Sequence, residues 1–470
     1  MILAIDQGTN STRALLIGEA GKVKPVLSLP HKQHYRQPGW VEHDPLALLR
    51  NIETCIAAGL DAGATHVGLA NQGESCLGWD ARDGTPVGPV IVWQDDRTAD
   101  RVAALESDDA GPFVLERAGL PLDPYFSASK LAWILESIPQ AKALSATGHL
   151  RLGTTDAWFR DRLTGRFETD VTTASRTSLM AIETCTWDAE LCTLFGVPQE
   201  CLPTITPSTG DLGHANGLPL TASVTDQQGA LYGHGGHVPG QAKITFGSGA
   251  FALAVTGALV RTSGVLPTLA WQLHGAPPVY ALDGGVYAAA SAVNWARSLG
   301  LFTDFAQINS FAKASAIESG LAFVPALAGL ACPHWDRAAR GAWMGLALET
   351  TSAQMMQALL EGIALRTGEV IRAMKNKTNL EGPIAIDGGM TANPYFCQVL
   401  TDVLGQQTRR SEEPERTALG VAALAAQGAG RTIALPTKGT VLSPRDLPPK
   451  AKAHFAAARE AVEGYGAAIR

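Results

Sequence analysis

The sequence has few of the residues that build disulfide-linked, zinc-binding or membrane-spanning proteins. It contains seven cysteines in 470 residues, they are scattered, and no two of them form a CxxC motif. This pattern argues against a disulfide framework and a zinc site, and it indicates buried thiols in a reducing compartment. No apolar run approaches the roughly 20 residues that a membrane span requires. We therefore expect neither disulfides nor zinc nor a membrane-spanning segment.

Charged residues are also scarce, at 17% of the chain, and aromatic residues make up 6%. The net charge is −7, and no cluster of lysines and arginines is interleaved with aromatic residues. Nucleic acid and anionic membrane are therefore not expected partners. Residues 1–6 contain no basic stretch and end on a carboxylate, which argues against a secretory signal and favours the cytoplasm.

Hydrophobic residues are abundant, at 46% of the chain. The length exceeds what one hydrophobic core accommodates, so two domains of roughly 200 to 250 residues are expected. Residues 233–240 read Gly-His-Gly-Gly-His-Val-Pro-Gly, a run of residues that interrupt regular structure. We place the domain boundary there and predict domains over residues 1–235 and 236–470.

The first apolar run of the chain leads into Asp6 and a glycine-centred turn, after which a second apolar run begins. This pattern is typical of a β-hairpin with a polar tip. Gly8 lets the backbone approach an anion closely, and the neighbouring side chains offer donors and a fixed positive charge: Thr9, Asn10, Ser11 and Arg13. The tip could therefore bind a phosphate, with a metal ion or its water at Asp6. Ordinary turn chemistry explains the same residues, so the hairpin alone leaves both interpretations open.

A second stretch repeats this design. Residues 243–246, which read as a strand, are followed by Gly247, Ser248 and Gly249, and then by the apolar run 250–255. The repetition suggests two domains built on one pattern, each with a phosphate-facing turn. Further along, the apolar residues 384–386 lead into a Gly-Gly turn and a helix N-terminus, an element suited to contact an anion or a nucleotide.

Several other elements can be predicted from local signals. Asp44 followed by Pro45 predicts a helix that runs to about Gly59, and a long amphipathic helix should begin at a Ser352 cap and run towards Met374. The apolar runs 66–70 and 90–93 predict two strands that carry polar residues at their carboxyl ends. Open α/β sheets bind ligands at such ends.

Taken in order, these pieces resemble the FGGY family of carbohydrate kinases, and within it the glycerol kinases. Each match is short, but the ordered series is specific and covers nearly the whole chain: residues 5–9, 38–45, 91–94, 172–177, 226–228, 329–330, 333–336, 340–341 and 387–389. The resemblance implies an α/β fold with two ribonuclease-H-like domains of the actin and hexokinase type. The cleft between them would hold ATP mainly on the second domain and a sugar or polyol mainly on the first.

The resemblance implies an ATP-dependent kinase that uses Mg²⁺. Phosphoryl transfer requires neutralisation of the phosphate charge and one carboxylate that accepts the hydroxyl proton. Asp226 matches the family's catalytic base, although its spacing after a strand also fits a helix N-cap, and Gln227 matches a substrate contact. Asp6 matches the metal-linked carboxylate. The positions that match nucleotide contacts are Thr9, Asn10, Ser11, Arg13, Gly247, Ser248, Asn294, Gly389 and Asn393. Ala290 and Asn294 depart from the family pattern and predict a slightly remodelled pocket.

The substrate positions depart further from the pattern. Glu74 matches one member of the Arg-Glu pair of glycerol kinases, but Gly73 stands in place of the arginine. Two consecutive carboxylates, Asp95 and Asp96, would form either a solvated rim or extra contacts to hydroxyls. The apolar wall of the substrate matches Trp93, Tyr125 and Phe251, which could equally be plain core residues. A glycerol-like substrate is favoured, and the alternative is a four- or five-carbon polyol or ketose such as erythritol, xylulose or ribulose.

Two other classes of protein are compatible with parts of this pattern. A non-catalytic ATP-binding regulator could use the same fold. A hydrolase with Asp226 and Glu74 as its carboxylate pair would leave both phosphate-facing turns unexplained. The sequence leaves the oligomeric state open, with a homodimer as one alternative.

Overall fold

A computed structural model describes residues 1–312 and 315–469 and contains two large β-sheets with the same central strand order. The strands of the first half of the chain are β1 (Ile2–Gln7), β2 (Ser11–Ile17), β3 (Val23–Pro30), β4 (Glu42–His43), β5 (His66–Asn71), β6 (Cys76–Asp80), β7 (Val90–Ile91), β8 (Leu150–Thr154), β9 (Glu168–Asp170), β10 (Met180–Ala181), β11 (Thr186–Trp187), β12 (Thr204–Thr206), β13 (His214–Ala215) and β14 (Leu218–Thr225). Those of the second half are β15 (Ala242–Phe246), β16 (Ala250–Gly257), β17 (Leu266–Trp271), β18 (Val279–Val286), β19 (Ala322–Val324), β20 (Ala342–Met344), β21 (Ile384–Asp387), β22 (Thr408–Ser411) and β23 (Gly439–Leu442).

The helices alternate with these strands. They are α1 (Pro45–Asp61), α2 (Ala99–Ser107), α3 (Gly111–Ala118), α4 (Ser127–Ser137), α5 (Pro139–Ala146), α6 (Thr155–Thr164), α7 (Val171–Ala174), α8 (Ala189–Phe195), α9 (Asp226–Gly233), α10 (Ala290–Ser298), α11 (Ser352–Lys375), α12 (Pro394–Leu404), α13 (Arg416–Gly428) and α14 (Ala451–Ala468). Short 3₁₀ turns cover Gln199–Cys201, Phe305–Ile308 and Gly389–Ala392.

The first sheet has the strand order β13-β14-β5-β1-β2-β3. Its central strand β1 pairs antiparallel with β2 and parallel with β5, and β14 adds a second parallel strand beyond β5. Alternate residues of β1 enter two different cores, because side chains of a strand point to opposite faces. Leu3 and Ile5 pack with α1, whereas Ile2 and Ala4 pack with α13. Helices on both faces therefore bury the strand completely.

The second sheet repeats this arrangement in the order β17-β18-β16-β15-β21-β22-β23. Here β15 is the central strand, antiparallel to β16 and parallel to β21, and β22 adds the next parallel strand. Helix α11 is buried on all sides from Met356 to Gly368, and it packs in the largest core of the molecule together with residues of α12 and α14. The α/β class and the two-domain architecture predicted from the resemblance are confirmed.

Helices α9 and α13 join the two halves of the molecule at very close range. A Cβ atom added to Gly420 of α13 would lie 1.8 Å from the carbonyl oxygen of Gly229 in α9. One added to Gly68 of β5 would lie 2.8 Å from the carbonyl oxygen of Val421. Glycine is therefore required at both positions, and a helix from the second half of the chain completes the core of the first sheet.

The local predictions were mostly correct. Helix α1 begins after Asp44, whose carboxylate accepts a hydrogen bond from the Leu46 amide, and it ends two residues beyond the predicted Gly59. The N-cap of α11 was predicted wrongly as Ser352. It is Thr351, which forms a reciprocal capping box with Gln354. The strand predicted over 90–93 is shorter, since β7 covers Val90–Ile91.

Two observations concern the whole described chain. Across residues 1–312 and 315–469, no helix is both long and apolar enough to cross a membrane. All seven cysteines are free thiols.

Candidate active site

A cleft between the two sheets forms a cavity of about 320 Å³ at the carboxyl ends of β5 and β14 and beside the tips of both hairpins. It is lined by ten of the residues predicted from the sequence, namely Thr9, Asn10, Glu74, Trp93, Tyr125, Asp226, Gln227, Gly247, Ser248 and Phe251. A second cavity of about 440 Å³ is lined by Asn294, Gly389 and Asn393, all from the second half of the chain. The structure thus places thirteen of the sixteen predicted site residues in two separate cavities.

The hairpin tips present backbone and hydroxyl groups to the cleft. The Gly8 amide donates to the Ser11 carbonyl at 3.1 Å and closes the first tip, while Trp93 Nε1 donates to Thr9 Oγ1 at 3.2 Å. In the second tip a Cβ atom on Gly249 would lie 2.6 Å from the Val286 carbonyl oxygen, so only glycine fits there. These contacts fix the turns while their polar groups line the cleft.

Asp226 is the first residue of α9, directly after the buried strand β14. The N-cap of this helix is Thr225, so the alternative interpretation of Asp226 as the cap is wrong. Its Oδ1 accepts a hydrogen bond from the Gln227 amide at 2.6 Å. Burial and the negative charges of Asp6 and Glu74 raise the pKa of Asp226 to about 7. The carboxyl is therefore suited to exchange protons near neutral pH.

Glu74 belongs to a buried charge cluster that spans both sheets. Arg176 Nε donates to Glu74 Oε1 at 2.6 Å, and Arg176 Nη1 donates to Asp283 Oδ2 at 3.0 Å. Burial raises the pKa of Glu74, and the nearby Arg176 opposes that rise. The backbone of Glu74 has a φ of 60°, a conformation that is strained for a residue with a side chain and that is frequent at functional sites.

Three aromatic rings form one wall of the cleft. Trp93 and Tyr125 meet edge to face with ring centroids 5.7 Å apart, and Phe251 also lines the cavity. The backbone around two of these rings is held by Lys130, whose Nζ donates to the carbonyls of Tyr125 at 2.9 Å and Trp93 at 3.4 Å. The wall offers an apolar surface of fixed geometry beside the carboxylates.

Asp6, Ser11 and Arg13 lie behind the first tip and do not line either cavity. Arg13 Nη2 is 2.5 Å from Asp6 Oδ2, and Arg13 Nη1 is 2.8 Å from the carboxylate of Glu415. The guanidinium predicted to contact phosphate is therefore shared between two carboxylates. The charge of Asp6 nevertheless reaches the cleft, because it raises the pKa of Asp226.

The second cavity is formed by α10, the 3₁₀ turn at 389–392 and the start of α12. Asn393 caps α12 by accepting from the Phe396 amide at 2.9 Å, and its Nδ2 donates to the Ile308 carbonyl at 2.8 Å. Gly388 has a φ of 92°, and a Cβ atom there would lie 2.3 Å from the Phe246 carbonyl oxygen. This glycine makes the close turn between β21 and the cavity.

Asp95 fits neither of the two interpretations left open by the sequence. It is buried, it binds Arg97 through Nε at 2.8 Å and Nη2 at 2.7 Å, and its Oδ2 accepts from the Val41 amide at 2.6 Å. Arg97 also lies 3.7 Å from the centre of the Trp40 ring. Asp95 therefore serves a structural network, and neither it nor the exposed Asp96 lines the cleft.

Sequence reasoning missed three charged residues of this region. Arg176 lies within the matched segment 172–177 but was not singled out. Lys243 begins the second hairpin, and Asp283 is a lone charge in the apolar strand β18. A charge inside a strand that otherwise reads as core was the signal that could have identified the last two.

Comparison with known proteins agrees with this geometry. Residues 1–225 match the N-terminal domain, and residues 242–429 the C-terminal domain, of the FGGY family of carbohydrate kinases. The chain is 40% identical to a glycerol kinase of Geobacter sp. (strain M21) and 41% identical to one of Thermus brockianus, in each case over 91% of this chain and 90% of the relative. A crystal structure of Plasmodium falciparum glycerol kinase with ADP superposes with a TM-score of 0.90 at 29% identity, covering 98% of this chain and 97% of the other.

Proposed function

The chain belongs to the FGGY family of carbohydrate kinases and is an ATP-dependent kinase of a polyol or sugar, and we propose that its acceptor is glycerol. One observation carries the proposal. A single cavity brings Asp226 and Glu74 together with three aromatic rings and faces both hairpin tips. Two relatives that are 40% and 41% identical over nine-tenths of the chain are glycerol kinases, which supports the same acceptor.

In the proposed reaction Asp226 accepts the proton of a terminal hydroxyl of the polyol. The freed oxygen attacks the γ-phosphorus of ATP, the bond to the bridging oxygen breaks, and ADP leaves. Glu74 accepts a hydrogen bond from another hydroxyl, and the rings of Trp93 and Phe251 pack against the carbon chain. Little covalent work is required of the protein, since positioning and charge neutralisation supply most of the catalysis.

The two hairpin tips would hold the phosphates, and the second cavity would hold the adenosine. Gly247 and Ser248 lie at the exposed end of the second tip, where a Cβ atom on Gly247 would meet nothing within 4 Å. This open space lets a phosphate approach the backbone closely. Asn294 and Gly389 line the second cavity, where they would contact the adenosine.

Mg²⁺ would bind near Asp6. Among residues 1–312 and 315–469 there is no group of three or more histidine, cysteine or acidic side chains that could hold a metal ion. Magnesium used with ATP is commonly bound by one or two carboxylates together with phosphate oxygens and waters. The carboxylate of Asp6 lies behind the first tip, where it pairs with Arg13, and its oxygen atoms are donors of the kind that this ion takes. When bound, the ion would neutralise charge on the transferring phosphate.

A second candidate substrate is a four- or five-carbon polyol or ketose, and the space at Gly73 favours it. A Cβ atom added there would have ordinary contacts, at 3.5 Å to Thr225 Cγ2 and 3.9 Å to Arg176 Cγ. The cavity thus leaves space beside Glu74 that a side chain at position 73 would otherwise fill. Arg176 is the cation nearest this space. We propose that it binds the additional hydroxyl of a longer substrate, or the second hydroxyl of glycerol.

Release of ADP in the presence of glycerol, erythritol, xylulose and ribulose tests both candidates. Glycerol should give the highest kcat/KM, and Asp226→Asn should lower the polyol-dependent rate by about 10² to 10⁴. A kcat/KM for one of the longer substrates that exceeds the glycerol value about tenfold would replace glycerol by that substrate. Full activity of Asp226→Asn would contradict the assigned base.

We also propose the boundary between the two sequence domains near residue 235. Helix α9 ends at Gly233 and β15 begins at Ala242, so the division 1–235 and 236–470 falls in the connection between them.

A further inference from the structure

Lys243 is a fully buried cation beneath the floor of the cleft. It lies in the central strand β15, its side chain has no exposed surface, and it is absent from the lining of the cavity. Burial lowers its pKa, and the carboxylates of Asp387, Asp226 and Asp283 oppose that effect. A charge is costly to bury unless its partners are well placed, so the arrangement needs a reason beyond packing.

The contacts of Lys243 determine how the amide of Gln227 is oriented. Lys243 Nζ donates to Gln227 Oε1 at 2.5 Å and to Thr245 Oγ1 at 2.8 Å. An ammonium group is only a donor, so the amide atom that it binds must be the oxygen. The amide nitrogen, Nε2, then has to point away from Lys243. Among the described residues it has no hydrogen-bond acceptor, and Gln227 lines the cleft beside Asp226.

We infer that Lys243 is a positioning residue for phosphoryl transfer, which holds Gln227 so that Nε2 donates to the acceptor oxygen of the polyol. As Asp226 takes the hydroxyl proton, negative charge develops on that oxygen until its bond to the γ-phosphorus forms and ADP leaves. A preoriented N–H donor stabilises this charge at no cost of reorganisation. The inference rests on the proposed role of Asp226 as the base.

Without Lys243 nothing distinguishes the two ends of the amide. The Gln227 side chain could then rotate by half a turn about its terminal bond and present Oε1 to the developing charge. Repulsion between the two oxygens would slow the chemical step, whereas binding of ATP in the second cavity would be unaffected. The expected signature is a fall in kcat with an unchanged KM for ATP.

A double-mutant cycle tests this coupling with Lys243→Met, Gln227→Met and the double variant, assayed for polyol-dependent ADP release. Lys243→Met should lower kcat about 30-fold and leave the KM for ATP within about twofold. In the Gln227→Met background, Lys243→Met should lower kcat by less than about threefold, because the amide that Lys243 orients is absent. Lys375→Gln is the matched control, since Lys375 donates to the Leu404 carbonyl at 3.3 Å far from the cleft, and it should retain the wild-type kcat. If the double variant loses kcat by the product of the two single-variant losses, the two residues act independently and the inference is wrong.

The pH profile supplies a readout that a purely structural role would not move. The positive charge of Lys243 lowers the pKa of Asp226, while Asp6 and Glu74 raise it. The midpoint of the acidic limb should therefore rise in Lys243→Met and stay in place in Gln227→Met.

Two further variants separate the ways in which the inference can fail. If Lys243→Met does not fold, Gln227→Glu keeps an oxygen for Lys243 and removes the N–H donor. This variant should melt at or above the wild-type temperature and still lose kcat, and a wild-type kcat would overturn the inference. Asp226→Asn is assayed in parallel. If it is inactive while Lys243→Met is fully active, the inference alone is wrong, whereas an active Asp226→Asn refutes the proposed base as well.

Discussion

Turnover should rise steeply between pH 6 and pH 8, because Asp226 must be ionised to accept a proton and its pKa is about 7. Burial in the cleft and the charges of Asp6 and Glu74 cause this raised pKa. The pKa of Asp226 is raised relative to that of an ordinary carboxyl, so the base form of Asp226 is lost as the pH falls through 7. The rate is therefore lost on the acidic side and reaches a plateau on the basic side.

The size of the effect follows from the pKa. With a midpoint of 7, about 9% of the molecules carry the base form at pH 6 and about 91% at pH 8, so kcat/KM should increase about tenfold. An aspartate with the ordinary pKa of about 4 would give a flat profile over this range. Glu74→Gln removes one of the negative charges and should move the midpoint to lower pH.

The assay follows ADP by chromatography, so that no coupling enzyme limits the rate, with both substrates well below their KM. Asp226→Asn should lower kcat/KM by about 10² to 10⁴ and leave a residual rate without the acidic limb. Asp170 is the matched control, because burial and the nearby Asp156 raise its pKa to about 7 as well. Asp170→Asn should still show the fall in rate on the acidic side of the pH profile. A flat wild-type profile, or a limb that persists in Asp226→Asn, would refute the assignment of the base.

Two other predictions concern substrate binding and the second hairpin tip. Arg176→Lys keeps the positive charge but loses the forked hydrogen bonds to Glu74 and Asp283. The KM for the polyol should therefore rise about tenfold, whereas the KM for ATP should change less than about twofold. Equal changes in the two KM values would contradict this role of Arg176. Gly249→Ala should lower the free energy of unfolding by about 1–3 kcal/mol in urea denaturation, because its Cβ atom would lie 2.6 Å from the Val286 oxygen. Gly247→Ala meets nothing within 4 Å and should change that free energy by less than about 0.5 kcal/mol; a larger cost there would implicate the turn backbone instead.

The parts of the site that could be predicted from the sequence are local. Each hairpin is one continuous stretch, and its alternation of apolar strand and glycine turn is visible without knowledge of the rest of the chain. The pair of Arg176 and Asp283 was not predictable in this way, because the two residues are 107 positions apart and lie in different halves of the molecule. Only the folded chain brings them together.

Competition between similar residues explains the smaller errors. Thr351 and Ser352 are both good N-caps, and the reciprocal bond with Gln354 decides between them. Asp95 could not be interpreted correctly from its position after an apolar run, since it binds Arg97 in the loop that follows it and the Val41 amide, which is 54 positions away in the sequence. Side-chain pairing across a loop is not encoded in periodicity.

Helix α13 has a consequence for how the chain acquires its structure during synthesis. The face of the first sheet that carries Ile2 and Ala4 is covered by residues 416–428, so this face stays open until the ribosome has made α13. Until then an apolar surface is available for wrong contacts, as is common for large proteins that fold through intermediates. A fragment that ends at residue 235 would keep that surface exposed. The half of the molecule that carries Asp226 thus cannot complete its core until residues 416–428 of the other half have been made.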